Sequence, residues 1–220
     1  MEKLNFSECT LALIEDTFSL MAVESLPTLT AWITTDFELT DLDKIAVNRL
    51  CFHLQKNVLH WNEQDLSLHF IGPMFSYIDF TERYRFNLFA QRTILAVVQG
   101  IEIGGRTDEI IASGYRAPKT PLFAINEYKK ETDPDGDPAG QALAAMLVGQ
   151  ELNRQKGVDL PLYGCYVVGG LWRFMVLEGS KYAMSEPFVS TDIEEAHQLL
   201  RILFQLKIYC MERTEPVELL

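Results

Sequence analysis

Residues 138–155 constrain this chain more than any other stretch. A helix is expected over 138–155, and its AGQALAAMLVGQEL stretch is apolar nearly all round, so the helix is expected to be buried. Asp137 is placed to cap it, and Pro138 takes the first helical position, where its missing N–H costs nothing. The flanking sequence supplies strands. Residues 84–99, 106–113 and 121–129 lie before the helix, and 161–169 and 171–178 follow it. All are rich in aromatic and β-branched residues. Gly104-Gly105 is expected to turn the first strand into the second, GYRAPKTP to loop from the second to the third, and Gly169-Gly170 to close the last hairpin.

The first 80 residues have a helical texture. Helices are expected over 7–24, over 40–59 behind a Thr40 or Asp41 cap, and over 62–78 behind Asn62. A loop is expected at Pro27, and Gly72-Pro73 should break or kink the third helix. In 40–59 the apolar side is expected to carry Ile45, Val47, Leu50, Leu54 and Val58. A closing helix is expected over 191–212. The order predicts a mixed α/β (α+β) fold: a central mixed sheet flanked by helices. The whole chain, 1–220, is read as one domain. Within it, 1–58 form an N-terminal helical extension, 60–180 the core and 190–213 a C-terminal helix.

Composition narrows the function. The 220 residues carry 19 Lys+Arg and 31 Asp+Glu, a net charge of −12, which argues against a protein that coats nucleic acid over its whole surface. No stretch is long and apolar enough for a membrane-spanning helix, and the first twenty residues lack the basic start of a signal peptide. Cys9, Cys51, Cys165 and Cys210 form no CxxC pair and fit buried, reduced thiols, so a cytoplasmic protein without membrane contact is expected. Counted from Asp133, the DPDGD stretch has Pro138 and Ala144 where a calcium loop needs its sixth-position glycine and twelfth-position glutamate, and no phosphate-binding glycine loop or nucleophile elbow is present.

One strand carries chemistry. In PLFAINEYKK, alternation puts Phe123, Ile125, Glu127 and Lys129 on one face and Tyr128 on the other, in the core. A carboxylate and an ammonium that continue an apolar face are costly unless they are paired or bind something. If 106–113 pairs with 121–129, Asp108 comes beside Glu127. Two adjacent carboxylates repel, and a hard divalent cation removes that penalty.

An acidic residue on one strand, then E-x-K at the end of the next, then a helix: this arrangement resembles the PD-(D/E)XK nuclease superfamily, the restriction-endonuclease-like fold. Here it is Asp108, then Glu127-Tyr128-Lys129, then the helix that begins GDPAGQALAAMLVGQ. Gln141 stands where RecB-like members carry a glutamine, and Glu63 in WNEQDL matches an acidic residue that many members place on an earlier helix. The proline usual before the acidic residue is replaced by Thr107. The resemblance covers about residues 60–180. It implies Mg²⁺-dependent (or Mn²⁺-dependent) hydrolysis of phosphodiester bonds. Asp108, Glu127 and the Tyr128 backbone carbonyl would hold the metal, and Glu63 a second one. Lys129 would orient water or stabilise the oxyanion, and Gln141 would hydrogen-bond a ligand or Lys129.

The local charge balance suits such a partner. Residues 106–131 total +1 while the rest of the chain totals −13, and Arg106, Arg116, Lys119 and Lys130 are the expected contacts to nucleic acid, DNA first. A protein partner or a homodimer would suit the acidic body. Two other readings stand beside this one. The same fold, catalytically weak or inactive, can serve as a binding or assembly module. An unrelated α+β domain can carry Glu127 and Lys129 as a purely structural pair.

Overall fold

The computed structural model describes residues 2–82, 85–132 and 136–214. The long strands are β3 (Asn87–Val98), β4 (Ile101–Ser113), β5 (Lys119–Lys129), β6 (Leu162–Val168) and β7 (Leu171–Glu178). They run in sheet order β3, β4, β5, β6, β7, antiparallel except for β5 and β6, which are parallel. A parallel pair needs a crossover, and α6 (Pro138–Arg154) supplies it. Four short strands complete the sheet: β1 (Lys3–Asn5) beside β4, β2 (Met21–Ala22) beside β8 (Lys181–Met184), and β9 (Phe188–Val189) beside β7. The fold is therefore the mixed sheet flanked by helices that the sequence predicts.

α6 begins as expected, with the Asp137 side chain accepting from the Gly140 N–H and Pro138 in the first turn. Residues 139–149 of the helix are all buried, between β5 and β6 on one side and the N-terminal segment on the other. That segment contains α1 (Leu11–Phe18), and Asp137 ties it down by also accepting from the Leu11 N–H. The contact is backbone to backbone. A Cβ on Gly140 would lie 2.5–2.6 Å from the Thr10 carbon, Cys9 oxygen and Leu11 nitrogen. Gly140→Ala is therefore expected to destabilise the chain by about 1–3 kcal/mol, despite the ~1 kcal/mol that alanine gains over glycine in a helix. A thermal melt checks it, and an unchanged or higher midpoint would contradict it.

The sheet's other face is covered by α2 (Pro27–Ile33), α3 (Asp41–Asn57), α5 (Gly72–Ile78) and α7 (Ile193–Glu212), around a core that contains Trp32, Trp172 and Phe174. The four cysteines are unpaired and buried. Among the described residues no helix is long and apolar enough to cross a membrane.

Several local expectations are corrected. Gly104-Gly105 is not a turn. β3 turns into β4 at Gln99-Gly100, both at positive φ, and the two glycines lie inside β4. They serve close packing: a Cβ on Gly104 would meet Leu95 at 2.6 Å and one on Gly105 the Phe6 ring at 2.7 Å. The helix expected over 7–24 is only α1, bracketed by a 3₁₀ turn and by β2. Pro27 does not mark a loop but starts α2, where a proline is favourable. Ile45 is exposed while Val47 and Leu54 of the same helix are buried. Tyr84, at the start of the first expected strand, and Arg83 before it lie outside the described residues, as do Asp133, Pro134 and Asp135. The break expected at Gly72-Pro73 is absorbed by a π turn, Ser67–Ile71, between α4 (Glu63–Leu66) and α5. In this turn the Gly72 N–H reaches the Ser67 carbonyl, and the widened backbone leaves room for a proline ring that a regular helix would reject.

Candidate metal and nucleic-acid site

The site begins with the pairing of β4 and β5. The register joins Ile110 to Ile125 and Glu109 to Asn126, and the ladder then stops. Asp108 is the next residue on β4, and its carboxylate takes the place of the missing ladder bond. Its Oδ2 accepts from the Tyr128 N–H at 2.7 Å. Residues of a hydrogen-bonded antiparallel pair present N–H and C=O to the same neighbour, so the Tyr128 carbonyl also opens towards β4 at the point where the strands part. Lys129 faces the other way, its carbonyl accepting from the Gly169 N–H.

Alternation sorts the side chains. Ile110 and Ile125 pack into the core beneath α6, whereas Ile111, Ala124 and Tyr128 pack into the core on the opposite side. Asp108, Glu127 and Lys129 thus share the α6 face. Phe123 does not share it, contrary to the strict alternation expected of this strand: a bulge opposite Ala112 shifts the register, and Phe123 packs on Phe86 in the other core. The face of β5 that leads to Glu127 is set by Ile125 alone.

Lys129 Nζ lies 2.8 Å from Glu127 Oε1 and 4.0 Å from Glu63 Oε1. Glu63 reaches it from the first turn of α4, which is fixed by a capping box between Asn62 and Asp65. One ammonium therefore faces three carboxylates, of Glu63, Asp108 and Glu127. The electrostatics reflect that shortage of positive charge. Burial, then the neighbouring Asp108, pushes Glu127 up to about 7 although Lys129 pulls it down. Burial likewise raises Asp108 against the opposing pull of the Tyr128 N–H, Lys129, Gln91 and Arg106. Burial tends to lower Lys129, but Glu127, Glu63 and Asp108 outweigh it and the ammonium is held above its usual value. The neighbouring carboxylates thus favour the charged form of Lys129.

A cleft of about 430 Å³ opens at Asp108 and Glu63, lined also by Gln91, Arg106, Glu109 and Tyr128, with Glu127 and Lys129 packed beside Asp108 and Glu63 at its edge. Gln141 is buried in the first turn of α6, and among the described residues no hydrogen bond joins its carboxamide to Asp108, Glu127 or Lys129. Arg106 is exposed at the cleft wall. Lys130 follows directly after the end of β5 and is half-buried. Arg116 and Lys119 are exposed at the far end of the β4–β5 hairpin, roughly 25 Å from Glu127 by strand rise.

Carboxylates and a backbone carbonyl are hard oxygen donors of the kind Mg²⁺ takes, usually with one or two carboxylates and several waters. Among the described residues no three His, Cys, Asp or Glu side chains form a ready-made metal cage. The fit rests instead on Asp108, Glu127 and the Tyr128 carbonyl, where the carboxylates of Glu63, Asp108 and Glu127 outnumber the one ammonium among them.

Sequence patterning does not reveal the support behind the site. On the reverse face, the Tyr128 hydroxyl donates to the Glu109 carboxylate, so the two strands that carry Asp108, Glu127 and Lys129 are also joined from behind. Burial pushes Glu109 up to about 7, partly offset by that hydrogen bond. Tyr128→Phe removes it and lets Glu109 titrate higher. The variant's loss of stability is expected to grow as pH rises through 7, from about 1 kcal/mol at pH 5 towards 3 kcal/mol at pH 8. Urea unfolding at the two pH values checks this, and an equal loss at both would contradict it.

The fold and cleft describe a mixed α/β protein with an acidic, lysine-containing site at the parting of two central strands. No protein-family model matches the chain, and no curated protein matches it. Among solved structures it is similar to the DrdV–DNA complex determined by cryo-electron microscopy, at a TM-score of 0.42 and 14% identity. The likeness covers 74% of this chain but only 14% of that one.

Proposed function

We propose that the chain is a Mg²⁺-dependent nuclease-like protein of the PD-(D/E)XK type that hydrolyses phosphodiester bonds of nucleic acid, DNA first. The observation that carries this reading is the cluster of Asp108, Glu127, Lys129 and Glu63, two of which, Asp108 and Glu63, line an open cleft. Asp108, Glu127 and the Tyr128 carbonyl would hold Mg²⁺ or Mn²⁺, and Glu63 would serve a second ion directly or through water. When bound, the ion supplies Lewis acidity towards water and the phosphoryl oxygens.

The side chains supply the rest. Lys129, kept charged by its carboxylate neighbours, can hold the attacking water's oxygen or a non-bridging phosphate oxygen, and stabilises the negative charge that develops there. Arg106 meets a phosphate beside the scissile one. Arg116 and Lys119 lie far enough away to meet the same strand roughly seven nucleotides on. Gln141 is close in sequence to the cap of α6 and would hydrogen-bond the bound strand or Lys129.

The test is incubation of the full chain with single- and double-stranded DNA and RNA, in Mg²⁺, Mn²⁺ or EDTA. Cleavage in metal, absent in EDTA and lost in Glu127→Ala, is the expected result. Equal cleavage by the wild type and the variant would overturn the assignment of the site. Binding without cleavage in any metal would replace the nuclease by an assembly module of the same fold.

A further inference from the structure

Gln91 stands out on β3. It lies inside a twelve-residue strand yet has a φ of 54°, in the left-handed region that an unbranched non-glycine residue rarely enters. The ladder between β3 and β4 pairs Ala90 with Glu109 and Arg92 with Thr107, and skips Gln91 and Asp108 between them. The Gln91 carboxamide points into the cleft, where Nε2 donates to Asp108 Oδ1 at 2.8 Å. Strain of this kind persists only where the surroundings hold it, and it clusters at functional sites.

The consequence for Asp108 is geometric. Its Oδ2 is held by the Tyr128 N–H from β5 and its Oδ1 by Gln91 from β3. Donors on both sides fix the plane of the carboxylate, and each oxygen keeps a second lone pair for a cation. The donor's chemistry matters too. A lysine or arginine in the place of Gln91 would neutralise Asp108 and compete with a metal ion, whereas an amide orients the carboxylate and leaves its charge intact.

We propose that Gln91 is a positioning residue that holds Asp108 in the orientation needed to bind a divalent cation, an assignment that rests on the nuclease reading above. The backbone strain at Gln91 accompanies that placement.

The test separates placement from stability. Glycine and asparagine both tolerate positive φ, but glycine has no carboxamide and asparagine's is one methylene too short to reach Asp108. Full-length wild type, Gln91→Gly and Gln91→Asn are titrated calorimetrically with MgCl₂ and with MnCl₂ at pH 8, and melted in EDTA. The expected result is a metal affinity about 10–100-fold weaker in both variants, the usual effect of losing a residue that orients a metal ligand, with an unchanged or higher melting temperature in EDTA. Wild-type affinity in both variants would overturn the assignment of Gln91 alone. Weaker affinity together with lower melting temperatures in EDTA would overturn it in favour of a purely structural role. Absence of metal binding by the wild type would overturn the nuclease reading, and this inference with it.

Discussion

Replacing Lys129 with methionine is expected to lower Mg²⁺-dependent cleavage by about 10²–10³-fold, the usual effect of removing one group aimed at developing transition-state charge. Metal affinity at pH 8 should remain or tighten. Methionine keeps most of the side chain's volume, so packing changes little. It removes the one cation set among Glu63, Asp108 and Glu127. The carboxylates then repel one another more strongly, and at a pH where they are ionised a divalent ion relieves more repulsion than before. A loss of catalysis with intact metal binding assigns Lys129 to the reaction. A parallel loss of both would make it a structural partner of Glu127 instead. The paired measurements are single-turnover cleavage and Mn²⁺ titration of the same preparation.

The parts of the fold legible in the sequence are those with a short physical period or a local cap. The covered helix α6, its Asp137–Pro138 start, and the placement of Tyr128 opposite Glu127 follow from helix chemistry and strand alternation, and the structure agrees with them. The neighbourhood of Asp108 and Glu127 was legible through the pairing of β4 with β5, which needs only the order of the strands. What escaped depends on distant chain. Lys3–Asn5 and Met21–Ala22 are strands only because Glu102–Gly104 and Lys181–Tyr182 lie beside them, so no local pattern marks them. Gly104-Gly105 carries a turn signal, but the need for glycine there comes from Leu95 and Phe6 pressing on the strand. The same limit hid Gln91. Nothing in NLFAQRTIL marks a left-handed residue, and its meaning appears only once Asp108 lies across the ladder. The bulge that turns Phe123 away from Glu127 is likewise a property of the pairing with Ala112.

In the absence of metal the protein is expected to lose stability as pH rises from 5 to 8, and Mg²⁺ is expected to restore much of the loss at pH 8 and none at pH 5. The sign follows from Glu109 and Glu127, whose folded pKa values of about 7 lie above the ordinary 4.5. Between those values the unfolded chain has released its protons while the folded chain still holds them, so the unfolded state gains as pH rises. A shift of that size is worth at most about 3 kcal/mol per group, and because both groups feel Asp108 the two contributions do not simply add. One such contribution moves the midpoint of a chain this size by roughly 6–12 °C. The groups differ in what can relieve them. Glu109 lines the cleft with Tyr128, but its carboxylate is buried and engaged by the Tyr128 hydroxyl, whereas Glu127 belongs to the proposed metal-binding set beside Asp108. Glu109→Gln should therefore flatten the pH profile and keep the response to Mg²⁺, and Glu127→Gln should abolish the response and flatten only its own share. Thermal melts at pH 5 and 8, with EDTA or with 10 mM MgCl₂ (about the level used to saturate weak Mg²⁺ sites), read all of these at once. A wild-type midpoint that neither falls with pH nor rises with Mg²⁺ would mean that the three carboxylates are already neutralised within the fold, leaving no charge for a metal ion to satisfy.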